Sequence, residues 1–293
     1  PYIVNHPDWF YYRPDGTLKY AENPPKKYED VHPLNFNSAD WPGIWREMRD
    51  VLLFWAERGV KIFRVDNPHT KPVPFWEWTI AEVQKRFPDV GFLSEAFTHP
   101  KMMQLLAKVG YTQSYTYFTW RNSKWEIQEY LHELTATETA EYFRGNFFVN
   151  TPDILTEYLQ FGGRAAYKVR AAIAATAAPT WGVYAGYELI ENVARPGAEE
   201  NIDSEKFEYR PRDWAAAAAA GTSLSPYLTL LNRIRRAHPA LRQLRNISFH
   251  WSDDDQILVF SKHLDQRFTG TGEHDTLLVV ANLDPHSVRQ TMV

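Results

Sequence analysis

The sequence has no cysteine, which removes disulfides, thiolate nucleophiles and cysteine-ligated metals together. It also lacks a basic excess. With 32 Lys and Arg against 36 Asp and Glu, the net charge is −4, so a general nucleic-acid binder, which carries a basic face, is not expected. No apolar run approaches the roughly 20 residues that span a bilayer, and no charged-then-apolar leader opens the chain. The expectation is a soluble, cytoplasmic protein without membrane or nucleic-acid partners. Missing too are G-x-G-x-x-G, G-x-x-x-x-G-K-[ST], G-x-S-x-G and H-E-x-x-H. Nicotinamide, nucleotide, serine-hydrolase and zincin chemistries therefore lack their usual marks. Asn246-Ile247-Ser248 is a lone glycosylation triplet without secretory context, read as chance.

What is present is a chain of 293 residues, 44% hydrophobic and 15% aromatic, enough for a large core. Helical periodicity runs from Trp41 to Arg58 through Ile44, Met48, Val51, Leu52 and Trp55, and Gly59 follows as a stop. Short apolar runs at 60–65, 91–93, 111–118, 146–149 and 180–184 alternate with helical patterns at 74–87, 101–109, 124–134 and 165–178. Such alternation predicts a parallel sheet covered by helices, either doubly wound or a (β/α)₈ barrel. Five strands can be counted, so a barrel reading places about three further units before Pro1. The chain opens without Met and stops just after a strand-like run, and it is expected to be a piece of a longer one. After a last amphipathic helix at 224–237, the runs Ile257–Phe260 and Thr276–Ala281 predict the start of a small β domain. The expected division is 1–239, a barrel portion, and 240–293, the start of a β-sandwich. Ala215–Ala220 is read as a solvated helix turn.

Acidic residues stand where the strands end. Asp66 closes Ile62-Phe63-Arg64-Val65-Asp66, and the two-residue period puts Arg64 and Asp66 on one face. Glu95 closes the run from Gly91, and Asp153 follows the run through Val149. Parallel α/β folds keep their active sites at these carboxyl ends. Each acid alone has a structural explanation: an ion pair for Asp66, a helix-start acid for Glu95 and Asp153. Jointly they match glycosyl transfer, which needs one ionised nucleophilic carboxylate and one protonated acid. Arg64 favours the ionised form of Asp66, and apolar Phe92, Leu93 and Phe97 favour the neutral form of Glu95. A third carboxylate, Asp153, can bind sugar hydroxyls more tightly as the ring flattens.

The segments Gly59–His69, Phe92–Glu95 and Asn150–Asp153 resemble the α-amylase superfamily, glycoside hydrolase family 13. Within it, they resemble most the bacterial α-1,4-glucan:maltose-1-phosphate maltosyltransferase branch, as do Ala21–Tyr28, Gln113–Arg121 and 189–206. Two departures from ordinary amylases fit that branch: Asn67 follows the nucleophile position, and Thr151-Pro152 stands where a His precedes the last Asp. The superfamily's first motif is absent, and Asn5-His6 is an accidental match. The resemblance implies a barrel, with Asp66 as nucleophile, Glu95 as acid/base and Asp153 as transition-state stabiliser. It implies Arg64, Asn23, Lys26, Tyr28, Asn67 and Lys206 as substrate-binding residues, the donor phosphate being held by Asn23, Lys26, Tyr28 and Asn67.

The activity so implied is retaining transfer of maltosyl from α-maltose 1-phosphate to an α-1,4-glucan, without metal or organic cofactor, by an enzyme that is a homodimer at full length. The Asp66 and Glu95 carboxyls are expected roughly 5–5.5 Å apart, the retaining distance. The alternatives are a related α-glucan hydrolase or trehalose-forming enzyme using the same carboxylates, and a non-catalytic glucan-binding fragment.

Overall fold

The computed structural model describes residues 1–23, 26–202 and 209–293, without the side chains of residues 23 and 26. The chain forms two compact units, 1–112 and 113–293.

In the first unit, β1 (Ala21–Asn23) and β2 (Lys26–Tyr28) pair antiparallel, where composition alone favours a solvated loop. The helix Trp41–Glu57 starts at Asp40, whose side chain accepts the Gly43 N–H at 3.1 Å and the Trp9 indole N–H at 3.1 Å. Position 43 has to be glycine-sized for this, because a Cβ there would lie 2.2 Å from the Asp40 carboxylate. Two parallel strands follow, β3 (Ile62–Asp66) and β4 (Gly91–Glu95), with helices Val73–Arg86 and Pro100–Lys108 behind each. The three helices cover one side of the strand pair. Leu53, Phe75, Trp76, Ile80, Val83, Phe92, Leu106 and Tyr111 form one buried cluster there. Phe92 belongs to that cluster, so strand alternation aims it away from Glu95, and of the neighbours expected beside the acid only Leu93 shares its face along the strand.

The second unit holds β5 (Gln113–Tyr115), β6 (Gly145–Phe148) and β7 (Thr180–Gly182), paired parallel in that order. The expected strand 111–118 shrinks to three residues, because the chain turns into a 3₁₀ segment at Tyr117–Trp120. That turn is held by the buried Arg170, whose guanidinium donates to the Phe118 carbonyl at 2.5 Å and the Arg121 carbonyl at 2.6 Å. The helix expected from 165 starts at Glu157 and runs to Ala177, broken at Gly163, whose φ of 55° with ψ of −150° only glycine adopts readily. Before it, Ser123 and Glu126 form a capping box for helix Lys124–Ala136.

After helix Ser225–Ala237 come β8 (Ile247–His250), β9 (Ile257–Leu264) and β10 (Asp275–Asn282), an antiparallel sheet in the order β10-β9-β8. The four-residue β8 was too short to read from its pattern. Side chains tie this sheet to the helices of its unit: Lys124 donates to Ser252 and to the Asp254 carbonyl, and the Tyr158 hydroxyl to the Leu283 carbonyl at 2.5 Å. Arg235 donates to the carbonyls of Ala175, Ala178 and Pro179, just before β7. On β9, fully buried Lys262 donates to the Gln243 carbonyl at 2.6 Å, and burial pulls its pKa down to about 7. The element order is that of part of a (β/α)₈ barrel followed by a small antiparallel sheet. Among the described residues no helix is long and apolar enough to cross a membrane.

Candidate active site

Strand register builds the centre of the site. Arg64 pairs with Leu93 and Asp66 with Glu95, so the last residues of β3 and β4 stand side by side. Neighbouring strands lie about 4.8 Å apart, and two carboxyls on adjacent strand ends must meet. They do so in different surroundings. The Asp66 side chain is 69% exposed and that of Glu95 only 12%.

Arg64 lies between them, Nη1 at 3.5 Å from Asp66 Oδ1 and Nη2 at 3.6 Å from Glu95 Oε2. Burial nevertheless dominates at Glu95 and lifts its pKa to about 7. Arg64 and the Asn67 N–H pull the other way, and Asp66 adds to the rise through its charge and a hydrogen bond. A protonated Glu95 can donate a hydrogen bond to its neighbour Asp66, and roughly 5–5.5 Å stays the carboxyl separation expected of a retaining pair.

Asn67 turns the chain out of β3 in the left-handed region, φ 46° and ψ 53°. Its N–H points at the Glu95 carbonyl (3.0 Å) and Glu95 Oε2 (3.2 Å), and its side-chain amide donates to Asp66 Oδ1 at 3.2 Å. This amide, expected at the donor phosphate, thus stands beside the nucleophile position.

Two neighbours escaped the sequence reading, His69 and Lys71. Both feel the charge of Asp66, and burial lowers the pKa of each. Lys71 Nζ donates to Thr70 Oγ1 at 2.8 Å, and His69 Nδ1 is buried without a partner among the described residues. Their signals were proximity, three and five residues after Asp66, and for His69 its place at the end of the Gly59–His69 segment, which gave it no role.

Tyr28 is half-buried on β2, opposite Ala21, and the same register sets Asn23 opposite Lys26. The side chains of Asn23 and Lys26, and all of Lys206, lie outside the described residues.

Asp153 belongs to the second unit, beyond the end of β6. Thr151 and Ile154 exchange backbone hydrogen bonds (3.1 and 3.2 Å), and the Asp153 N–H donates to Thr151 Oγ1, closing a tight turn around the carboxylate. The turn is held from outside. Asn201 donates to the carbonyls of Thr151 (2.9 Å) and Pro152 (3.4 Å), and buried Asn150 accepts the Tyr184 N–H. Asn201 was not foreseen, since nothing in the sequence pairs positions 50 residues apart. Among the described residues no cluster of three or more His, Cys, Asp or Glu could hold a metal ion.

Solved structures show what fold surrounds these carboxylates. An α-amylase from Geobacillus thermoleovorans complexed with acarbose matches with a TM-score of 0.65 at 15% identity, over 90% of this chain and 60% of that one. An α-amylase from H. orenii matches with a TM-score of 0.63 at 15% identity, over 88% and 64%. The fold over this span is that of the α-amylases.

Sequence relatives narrow it. The α-1,4-glucan:maltose-1-phosphate maltosyltransferase 2 of Streptomyces coelicolor is 55% identical over all of this chain and 42% of its own length. The maltosyltransferases of Mycolicibacterium smegmatis (55%) and Rhodospirillum rubrum (50%) match over 97% and 98% of this chain, each over 40% of its own length. Residues 249–293 match the family described as "GLGE, C-terminal". Over nearly its whole length the chain is similar to α-1,4-glucan:maltose-1-phosphate maltosyltransferases, at 50–55% identity. It spans about two fifths of the length of the curated relatives it matches.

Proposed function

We propose that these residues carry the catalytic carboxylates of a retaining maltosyl transfer from α-maltose 1-phosphate to the non-reducing end of an α-1,4-glucan. The observation that supports this reading most is the pair Asp66 and Glu95, side by side on adjacent strand ends with opposite environments. An exposed, Arg64-paired Asp66 suits a nucleophile, and a buried Glu95 with a pKa near 7 suits a group that must give a proton and then take one.

In the first step Asp66 Oδ attacks the anomeric carbon while Glu95 protonates the bridging oxygen, and the C–O bond to phosphate breaks. The two carboxyls act across the anomeric carbon at the retaining distance of roughly 5–5.5 Å. In the second step Glu95 removes the proton from the acceptor 4-hydroxyl, which displaces Asp66. Two inversions return the α configuration. Asp153 binds sugar hydroxyls as the oxocarbenium character develops, with its turn fixed by Asn201. Asn23, Lys26, Tyr28 and Asn67 receive the phosphate, and Lys206 contacts the substrate.

The test uses the full protein that carries this chain, incubated with a slow 2-fluoro maltosyl donor and digested for peptide mapping. Phosphate release with the label on Asp66 is the expected result. A label on Glu95 or Asp153 overturns the assignment. Glucan hydrolysis without phosphate release from maltose 1-phosphate overturns the donor.

A further inference from the structure

We infer that Glu199 is a positioning residue of this site, fixing the turn that carries Asp153 from the short hairpin 193–202. The inference rests on the proposed role of Asp153 as transition-state stabiliser. Asp153 lies between two sets of hydrogen bonds supplied by one arm of that hairpin. Before it in the chain, Asn201 donates to the carbonyls of Thr151 (2.9 Å) and Pro152 (3.4 Å). After it, the Glu199 carbonyl accepts the Leu155 N–H at 2.6 Å, and Glu199 Oε1 accepts the Glu157 N–H at 3.2 Å.

The arm is extended and braced. The Arg195 N–H donates to the Glu200 carbonyl (2.8 Å) and the Ile202 N–H to the Val193 carbonyl (3.1 Å), with Ala194 paired antiparallel to Asn201. The Ala198 N–H donates to the Arg195 carbonyl at 3.0 Å and closes the turn. Residues two apart on an extended arm face one way. Glu199 and Asn201 thus both reach 151–157, while Glu200 between them turns to Arg195, Oε2 at 3.7 Å from Nη1.

The helix Glu157–Ala177 needs what Glu199 brings. Thr156 stands at its N-cap position, and its side chain makes no cap hydrogen bond among the described residues. A helix leaves its first four N–H groups without intrahelical partners, and its dipole favours an acidic group at that end. Glu199, 42 residues later, supplies the acceptor. Its other oxygen, Oε2, accepts the Trp120 indole N–H at 2.9 Å. Trp120 ends the 3₁₀ segment that Arg170 bends, and Arg170 lies on the same helix that Glu199 caps. The contacts close a circuit through the exit of β5, the helix and the hairpin, and the Asp153 turn is one of the pieces it joins. Two donors on two oxygens call for a carboxyl group, because an amide offers one acceptor oxygen and sets its NH2 against the second donor.

A group that binds substrate hydroxyls more tightly in the transition state than in the ground state acts on kcat, and a displacement of about 1 Å can cost about 10²-fold. Loosening the arm is therefore expected to lower kcat and spare the KM for donor. A purely structural role would lower the melting temperature and leave kcat of the folded protein unchanged.

Glu199→Ala and Glu199→Gln in the full protein test this well below the thermal transition, with α-maltose 1-phosphate and α-maltosyl fluoride as donors. Glu199→Ala is expected to lower kcat by about 10–100-fold on both donors, with KM for donor changed less than about twofold. Glu199→Gln, which has the same shape and keeps one acceptor, carries the same test at smaller amplitude, a fall of about 3–10-fold for one lost hydrogen bond. In a double-mutant cycle on the fluoride, Glu199→Ala added to Asp153→Asn is expected to lower kcat by less than about twofold more, since the group it positions is already gone. A full, independent loss in that background overturns the proposal. So does wild-type kcat in both Glu199 variants beside an impaired Asp153→Asn, whatever their melting temperatures. Asp153→Asn that turns over like the wild type overturns the assignment of Asp153, and the positioning role with it.

Discussion

At the scale of single residues, Glu95 shows how one environment can be read twice, in catalysis and in stability. With the acid/base role proposed above, a pKa of about 7 is expected to set the alkaline limb of kcat/KM near pH 7 in the full protein, measurable in a pH series with saturating acceptor. The same shift works against folding. The unfolded chain loses this proton near pH 4.5 and the folded one near 7, so the stability of the first unit falls as pH rises through that window. Glu95→Gln is therefore expected to lower turnover by about 10²–10⁴-fold. It should also raise the stability of the unit above pH 7 by up to ~3 kcal/mol, a gain that disappears below pH 4.5 in urea titrations. The donor-phosphate proposal makes a separate claim about Lys26. Its loss in Lys26→Ala is expected to cut turnover of maltose 1-phosphate by about 10–100-fold, the worth of one charge-assisted contact. A fluoride donor should be affected far less, and equal losses on the two donors would remove Lys26 from the phosphate site.

Among the elements, the helix Trp41–Glu57 depends on a single side chain at its start. Asp40 satisfies the Gly43 N–H and the Trp9 indole together, so Asp40→Ala is expected to cost about 1–2 kcal/mol in urea unfolding, more than a cap alone. Asp40→Asn keeps one acceptor oxygen but sets an amide NH2 against the other donor, because the Gly43 N–H and the Trp9 indole use different carboxylate oxygens, so it should recover only part of it. This helix was legible in the sequence because Ile44, Met48, Val51 and Leu52 repeat at helical spacing and Gly59 ends it. The strand-end carboxylates were legible for a similar reason, since period-two alternation sets Arg64 and Asp66 on one face and the residue ending β4 beside it. Where structure depends on contacts far along the chain, the sequence reading stopped short. The segment 111–118 has strand composition, but Arg170, some 50 residues later, takes the carbonyls of Phe118 and Arg121 and bends it. The left-handed turn at Asn67 was hidden as well, because no side-chain pattern encodes φ.

For the molecule as a whole, buried charge gives the two units opposite responses to pH. Lys262 in the second unit carries a pKa of about 7 when folded and an ordinary one near 10.5 when unfolded. The unfolded chain therefore binds more protons between those values, and the stability of this unit rises with pH across them. Lys262→Met is expected to gain most below pH 7, on the order of 4 kcal/mol less the hydrogen bond lost at Gln243, and to gain little near pH 10 in thermal melts. That behaviour is opposite in sign to Glu95, so Glu95→Gln should stabilise above pH 7 and Lys262→Met below it. The clasp of Arg235 on Ala175, Ala178 and Pro179 has a kinetic meaning. It satisfies the carbonyls between a long helix and β7 with a side chain that arrives only when a helix more than 50 residues later has docked. Opening of either partner exposes the other to solvent, so the amides of residues 180–182 and those of 228–237 should exchange with deuterium at a common rate. In Arg235→Leu that shared protection should split in two, with residues 180–182 exchanging first.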